Sequence, residues 1–507
     1  MRLPFPERIP FKSLFYFAAL LCAVQVFEGT NSTFALCSFF FIIIAGLGFN
    51  VARGLTSTSG SYIFFFSTLG VLVGLCYKAF LGEPADSNLQ NPLLTMYVYI
   101  AGISMMLVTV YLSRKVTLRR PVLGDILPDY KMQTATIGCT IVSFLIVAIE
   151  LLAPGGTGSV ISALNQINHF FPLAIIFGVF HTIRKTGGRR SVNLPVLLCC
   201  GLMFFGGLIG FSKEGMFAPI ACYVLAAASQ RYRINRMQIV GAILVTIFVF
   251  RYLVPFSQYG RNFRQDTLTG NITVAFSLLS NLGQVRQDYL QSEPVSHEDQ
   301  LYGYYNTPQG FFDRLQMISI DDALIDHTDK FGTFGMLPLY QAFENIIPHF
   351  IWKGKPTFQY GNTFAHEIGL LGSEDDTTGV SFSCISAAFH MVGWAGIFFL
   401  LPPLWFILFW LFDSLCGDLR RAPWGLIVAI LYAHAAPESD VTSLVWMFST
   451  GAFGVVFCAL LGAYFMPIVG TLFIGPEGVF LKWRPPVRSI PRRLLPSSSS
   501  EIESAAT

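Results

Sequence analysis

Residues 33–51 read TFALCSFFFIIIAGLGFNV, an apolar run without a charged residue. A helix of this length rises roughly 28 Å and closes its backbone hydrogen bonds internally, as the hydrocarbon core of a bilayer requires. The whole chain has the same character, since 53% of its 507 residues are hydrophobic, 12% are charged and the mean hydropathy is +0.56. Because so much apolar surface needs lipid as its solvent, the sequence predicts an all-α, polytopic integral membrane protein and excludes an ordinary soluble one.

Further apolar segments of spanning length raise the predicted number of transmembrane helices to about twelve. Lys and Arg accumulate in the connections that follow every second segment, which places these connections and both termini in the cytoplasm. The net charge of +3 is spread along the loops and indicates no nucleic-acid partner. The further segments are 11–27, 61–81, 93–112, 133–153, 169–183, 193–211, 215–230, 237–255, 384–412, 424–437 and 443–465.

A long polar stretch, residues 255–383, interrupts the apolar segments. Its acidic residues outnumber its basic residues 15 to 7, and interspersed aromatic and turn residues are typical of a folded cap. We therefore divide the chain into helices one to nine (1–254), a large external, periplasmic loop domain (255–383), helices ten to twelve (384–466) and a largely disordered cytoplasmic tail (467–507). No internal repeat is evident, which argues against a transporter built from inverted halves.

Two basic motifs in and near this cap suit anion binding. In GFSKEG (210–215), Lys213 and Glu214 occupy a tight external turn at a helix N-terminus, where a cation and free N–H groups converge. In YGRNFRQ (259–265), Arg261 and Arg264 share one helix face and could grip a lipid diphosphate bidentately. The alternatives are a Lys–Glu pair at the membrane interface for the first motif and phospholipid headgroup contacts for the second.

The segment FFDRLQMISIDDALID (311–326) has helical spacing. The acidic residues in and after it lack the spacing of a calcium loop and are predicted to form a solvated helix face: Asp321, Asp322, Asp326 and Asp329. The histidines of the cap and its re-entry share no ligand spacing and are expected to be hydrogen-bonded structural residues: His349, His366 and His390. The sequence accordingly predicts no metal site and no cofactor.

In its layout the chain resembles the bacterial O-antigen polymerases, the Wzy-like polymerases of oligosaccharide repeat units. The turn GFSKEG, the element FFDRL (311–315), the segment IPHFIWKGKP (347–356) and the re-entry HMVGWAG (390–396) carry the resemblance, which covers mainly residues 205–400. The chain departs from the family pattern at two positions. His349 follows Ile-Pro where an Arg is expected, and Ala387 replaces an acidic residue.

The resemblance implies a metal-independent glycosyltransferase of the C-type architecture in the bacterial inner membrane. Such enzymes join repeat units carried on undecaprenyl diphosphate into O-antigen, capsule or exopolysaccharide at the outer face, in a membrane that also holds a chain-length regulator and a flippase. A developing diphosphate charge needs fixed cations, and an acceptor hydroxyl needs at most one weak base. The expected diphosphate clamp is Lys213, Arg261, Arg264 and Arg314, with Lys353 and Lys355 as outer contacts and His349 or Glu214 as the base.

Other functions remain open at this point. A ligase that transfers the finished polymer to another acceptor needs the same features, and the sequence does not separate it from a polymerase. A flippase or transporter of the lipid-linked saccharide also needs an external cationic site, but it has no need of a cap of this size. An enzyme that uses polyprenyl monophosphate sugars would favour acidic residues in the first external loop, where this chain offers Glu28 alone.

Overall fold

The computed structural model describes residues 1–152, 168–265, 267–292, 303–310, 312–347, 351–352, 354–355, 358–375 and 378–474. Within these residues the chain is helical, without a named strand. The helices before the cap are α1 (Phe11–Phe27), α2 (Ser32–Ala52), α3 (Thr58–Leu81), α4 (Pro92–Val116), α5 (Met132–Leu152), α6 (Phe170–Thr186), α7 (Leu194–Ile209), α8 (Lys213–Ser229) and α9 (Arg236–Arg261).

The cap and the C-terminal part of the chain supply the remaining helices. The cap contains α10 (Leu268–Ser280), α11 (Leu282–Ser292), α12 (Ile318–Phe331), α13 (Leu337–Glu344) and α14 (Tyr360–Glu367). The helices that follow are α15 (Cys384–Val392), α16 (Gly396–Cys416), α17 (Pro423–Glu438) and α18 (Val441–Ile474).

Local sequence explains where these helices begin and end, as α2 illustrates. The Asn31 side chain accepts a hydrogen bond from the backbone N–H of Thr33 at 2.8 Å and so caps the first turn. The helix ends at Ala52, and the next residue, Arg53, has a φ of 73° in the left-handed region. Gly54 follows with a positive φ, and a Cβ there would overlap the carbonyl of Pro6. The chain can turn this tightly because glycine carries no side chain.

Seven helices in the described part of the chain are long and apolar enough to cross a membrane. These are α2, α3, α4, the segment Asp129–Ile149 that overlaps α5, α9, α16 and α18. These helices confirm the prediction of an all-helical, polytopic membrane protein. Several boundaries differ from the sequence-based segments, because a break at Gly393 separates α15 from α16, and α9 continues to Arg261.

The connections that follow α2, α4, α6, α8 and α16 meet at one end of the bundle, together with the N-terminal residues. We call this the basic end because it gathers the Lys- and Arg-rich connections. Backbone and side-chain hydrogen bonds join the connections: Leu419 N–H to Thr56 O, Val122 N–H to Ser414 O, Arg184 and Gln230 side chains to Arg420 O, and Leu3 N–H to Tyr232 O. One surface therefore collects every second connection.

The cap sits at the opposite end of the bundle. Helix α4 begins beside cap residues and ends near the basic end, a rise of roughly 36 Å for its length. Helix α12 packs against both α4 and α15. The Tyr304 hydroxyl donates to Ala85 O at 2.8 Å, and Met317 N–H donates to Gly70 O at 2.8 Å. We call this the cap end.

Two adjacent carboxylates on α12 fasten the cap to the bundle. Asp321, 0% exposed, accepts from the Tyr99 hydroxyl at 2.5 Å, the Ser386 hydroxyl at 2.6 Å and Ser383 N–H at 3.0 Å. Asp322, 1% exposed, accepts from Gln90 N–H, Asn91 N–H and the Thr95 hydroxyl at 2.5, 3.2 and 2.7 Å. Asp321 thus lies beside the N-terminus of α15, and Asp322 lies beside the N-terminus of α4.

The prediction that the four acidic residues form a solvated helix face was therefore wrong for three of them. Asp321, Asp322 and Asp326 are buried, while Asp329 is exposed as expected. The helix also begins later than predicted, at Ile318, after a separate turn at Phe312–Arg314. Burial raises the pKa of Asp322 to about 6, but the carboxylate is ionised at neutral pH, as its three donors require.

We expect D322N to loosen the cap. An amide NH₂ would face backbone N–H donors in place of a carboxylate oxygen, so the variant should lose about 2 kcal/mol of stability. Thermal unfolding of the detergent-purified protein and the rate of tryptic cleavage at Arg314 and Lys330 measure the loss. The control is D329N on the exposed face of the same helix. Equal behaviour of the two variants would contradict the anchoring role of Asp322.

Candidate functional site

The turn between α7 and α8, residues 210–215, lies at the cap end and is fixed by close backbone packing. Gly207 and Gly215 face each other so closely that a Cβ on Gly207 would overlap backbone atoms of Gly215 and Met216. The Ser212 side chain caps α8 by accepting from Gly215 N–H at 3.1 Å. The turn is therefore held by both of its own helices.

Helix α9 holds the same turn from the side. The Phe211 ring is fully buried and packs where Gly260 leaves room, because a Cβ at Gly260 would overlap the ring. The Phe211 carbonyl accepts two hydrogen bonds, from the Ser257 hydroxyl at 2.9 Å and from Arg261 Nε at 3.3 Å. Arg261 thus uses one guanidinium nitrogen to hold the turn, and its two terminal nitrogens make no hydrogen bond with any residue that the structure describes.

Arg261 contacts this turn, and two further arginines lie near enough for their charges to act on it. Arg261 and Arg264 lie three residues apart, and Arg264 N–H donates to Arg261 O at 3.3 Å. Arg314 comes from a different part of the cap, and its charge acts on Arg261 together with that of Arg264. All three residues are exposed. The charges that act on Arg261 are therefore positive, which favours an anion in their midst.

Aromatic packing positions Arg314. The turn Phe312–Arg314 stacks on the C-terminal part of α3, where the rings of Phe312 and Tyr77 lie parallel with centroids 4.0 Å apart. Tyr77 also donates through its hydroxyl to the Gln309 side chain at 3.0 Å. Arg314 is therefore tied to a helix of the bundle, although it belongs to the cap.

The remaining residues of the expected site fall into three groups. Lys213 and Glu214 open α8, the first half-buried and the second exposed. Lys355 is 7% exposed and donates through Nζ to the carbonyls of Asn345 and Ile347 at 3.2 and 2.7 Å, so its ammonium holds the cap's own backbone. His349 and Lys353 lie outside the described residues.

A second polar cluster lies where α12, α14 and α15 meet. His390 on α15 is 1% exposed, and its Nδ1 lies 2.9 Å from the Thr328 hydroxyl. Its Nε2 lies 3.0 Å from Oε2 of Glu367, the last residue of α14. His327 is close to both residues, with its Nε2 4.0 Å from the Glu367 carboxylate. Among the described residues, no three His, Cys, Asp or Glu side chains are arranged to hold a metal ion.

Hydrogen-bond roles can be assigned on one side of the His390 ring. The Thr328 hydroxyl donates to Leu324 O at 2.7 Å, so it accepts at His390, and Nδ1 carries the imidazole proton. On the other side, Nε2 lies 3.0 Å from Glu367 Oε2 but has no hydrogen-bond partner among the described residues. Burial raises the pKa of Glu367, and the charge of His327 opposes this shift. The pair therefore places a buried imidazole nitrogen beside a carboxyl group without a hydrogen bond between them.

Sequence reasoning found part of the arginine cluster and missed this pair. The three-residue spacing of Arg261 and Arg264 was visible in the sequence, and the approach of Arg314 came only through the family layout. His390 was expected to be an ordinary structural histidine, and Glu367 was not singled out. No spacing rule links the two residues, because they lie on different helices and 23 positions apart.

We expect E367Q to be more stable than E367A at pH 7 by about 1 kcal/mol. A Gln amide can donate a hydrogen bond to His390 Nε2, a buried nitrogen without a hydrogen-bond partner among the described residues, whereas Ala offers no donor. The raised pKa of Glu367 adds stability that is fully present below pH 4.5 and lost as pH rises through the folded-state pKa. Thermal unfolding measured as pH rises from 4 should therefore show a decline for the wild type relative to E367Q. Equal stability of the Gln and Ala variants would contradict the proposed donation to His390.

Comparison of the chain with protein-family models, with curated proteins and with solved structures finds no match in any of the three. The function must therefore be inferred from the chemistry of the residues themselves. The feature with the clearest chemical meaning is the arginine cluster of Arg261, Arg264 and Arg314 beside the turn 210–215.

Proposed function

We propose that the protein is a membrane glycosyltransferase that joins lipid-linked oligosaccharide repeat units, with undecaprenyl diphosphate as the leaving group. The observation that supports this best is Arg261, which is bonded to the turn 210–215 while the positive charges of Arg314 and Arg264 act on it. A diphosphate carries several anionic oxygens in a compact volume, and guanidinium groups bind such oxygens in pairs. The resemblance of the layout to Wzy-like polymerases supports the same substrate class.

The chemistry of the transfer needs few groups. The acceptor hydroxyl forms a bond to the anomeric carbon, and the bond from that carbon to the diphosphate oxygen breaks. The diphosphate leaves with the electron pair, and the hydroxyl proton passes to a base or to water. Negative charge grows on the departing oxygen in the transition state. Cations fixed beside this oxygen therefore stabilise the transition state more than they stabilise the bound substrate.

In this proposal Arg261, Arg264 and Arg314 hold the diphosphate, and Lys213 joins them from the first turn of α8. Arg261 is fixed by its bond to the Phe211 carbonyl, which limits the reorganisation needed on binding. Glu214 is exposed at the same turn and is the described candidate for the base, and His349 is the second candidate. The proposal uses no metal and no cofactor.

The proposal includes about twelve membrane crossings in a bacterial inner membrane, with both termini in the cytoplasm and the cap outside. Besides the seven long apolar helices, α1, α6, α7, α8 and α17 supply the shorter crossings. Two observations support this topology. Every second connection meets at the basic end, and these connections carry most of the positive charge outside the cap.

Replacement of Arg261, Arg264 or Arg314 by Ala should abolish polymer formation without loss of the folded protein. A residue that contacts the departing diphosphate contributes roughly 2 to 4 kcal/mol to transition-state stabilisation, which is about 30- to 1000-fold in rate. An arginine that merely meets lipid headgroups contributes on the order of 1 kcal/mol or less. R264K extends the test. The Lys ammonium can replace an arginine that merely meets lipid headgroups, but it cannot bind two phosphate oxygens in parallel as a guanidinium does. Turnover of a lipid-diphosphate oligosaccharide by protein in proteoliposomes is the measurement.

The matched control is R286A, on α11 of the same cap. It should retain nearly full turnover. If the three Ala variants behave like R286A, the arginine cluster is not a diphosphate clamp. A deletion strain separates the two closest functions, because loss of a polymerase leaves single repeat units on the acceptor and loss of a ligase leaves the acceptor bare. A strain that shows neither change would exclude both functions.

A further inference from the structure

The basic end contains a cavity that the proposed function does not use. It has a volume of about 360 Å³, at the lower end of the range for small-molecule sites. Three connections form its walls: the one after α2, the one after α4 and the one between α16 and α17. Four arginines line it, Arg53, Arg114, Arg119 and Arg421, together with the aspartates Asp125, Asp413 and Asp418.

The innermost aspartate, Asp413, is already fully occupied by the fold. It is 2% exposed and accepts hydrogen bonds from Thr58 N–H and Ser59 N–H at 3.1 and 3.2 Å. The hydroxyls of the same two residues donate to it at 2.7 and 2.6 Å. These donors form the N-terminus of α3, so the carboxylate serves as its cap. Its nearest cation, Arg114, lies 3.9 Å away and retains most of its hydrogen-bonding capacity.

The second aspartate, Asp418, is also already bound by a side chain of the protein. Arg420 lies outside the cavity and binds it bidentately, with N–O distances of 2.6 and 2.9 Å. Arg53 and Arg420 both pair with the Glu7 carboxylate, at N–O distances of 3.4 and 3.6 Å respectively. By contrast, the side chains of Arg119 and Arg421 make no ion pair or hydrogen bond with any residue that the structure describes. The third lining aspartate, Asp125, is exposed, so the two guanidinium groups of Arg119 and Arg421 face one carboxylate that the fold has not already bound.

We infer that this cavity binds a phosphate group, as a free phosphorylated small molecule or as the headgroup of an anionic phospholipid. Guanidinium groups from three connections can surround the phosphate oxygens and bind them in pairs. Thr56, Ser57 and Thr117 also line the cavity, but their hydroxyls already donate to backbone carbonyls. The arginines are therefore the donors, and a phosphate group has more oxygens to accept from them than a carboxylate has.

The geometry has a consequence for the bundle. The three connections belong to helices that are distant in the sequence, and a phosphate bound between them would join them by charge-assisted hydrogen bonds. Because such a ligand binds the folded state alone, it should raise the unfolding temperature in a saturable way. This binding is independent of the diphosphate clamp, which lies at the cap end of the molecule.

The test uses the full chain in nanodiscs and has two arms. In the first, nanodiscs of phosphatidylcholine are titrated with inorganic phosphate, with chloride at matched ionic strength as the reference. In the second, nanodiscs with and without phosphatidylglycerol are compared at low phosphate. The variants are R119Q and R421Q, both exposed, and the matched control is R120Q, which is exposed on the same connection but does not line the cavity. A further variant, R314A, tests whether the phosphate binds at the cap end instead of in this cavity.

A saturable rise of the unfolding temperature with phosphate supports a small-molecule site. The apparent affinity should fall at least about tenfold in R119Q and R421Q and should not change in R120Q or R314A. A rise with phosphatidylglycerol alone, and with the same pattern among the variants, supports a headgroup site. The inference is overturned if neither probe raises the unfolding temperature, or if R119Q and R421Q respond to both probes as R120Q does.

Discussion

The structure depends on the way the cap is held to the membrane bundle, and two neighbouring carboxylates do this. Successive residues on a helix point about 100° apart, so Asp321 and Asp322 reach different partners from a single turn of α12. One carboxylate meets Tyr99 and the start of α15, and the other meets the start of α4. Burial of a charge is costly, but N–H and hydroxyl donors at helix N-termini offset the cost. The cap, and with it Arg314, therefore has a defined position on the bundle.

A buried carboxylate also holds a helix N-terminus at the basic end. Asp413 on α16 is buried and receives four hydrogen bonds from the N-terminus of α3. Helix α3 thus begins at a carboxylate of the basic end, and its other end packs against cap residues such as Phe312. In lipid, the hydrophobic effect contributes little to helix association, so polar contacts of this kind carry much of the specificity. Buried carboxylates therefore fix the ends of these helices.

Composition alone predicted the helical membrane architecture, because spans need long apolar runs that no other fold tolerates. The basic connections predicted which loops meet, since Lys and Arg mark one side of the membrane. The polar interior could not be predicted in this way. An Asp-Asp pair on an amphipathic helix looks solvated, and the partners of Asp322 lie more than 200 residues away. Likewise, spacing related Arg261 to Arg264, but no local pattern brings Arg314 to them.

The turn at Phe211 has a strained backbone that the packing around it stabilises. Phe211 has a φ of 50°, in the left-handed region, which costs roughly 1 to 2 kcal/mol for a residue with a side chain. Burial of its ring and the bonds from Ser257 and Arg261 offset this cost. Those bonds hold Arg261 near two other positive charges, which repel it. An anion placed among the three arginines would remove this repulsion, so the bonds that fix the turn also hold Arg261 where a negative charge is favoured.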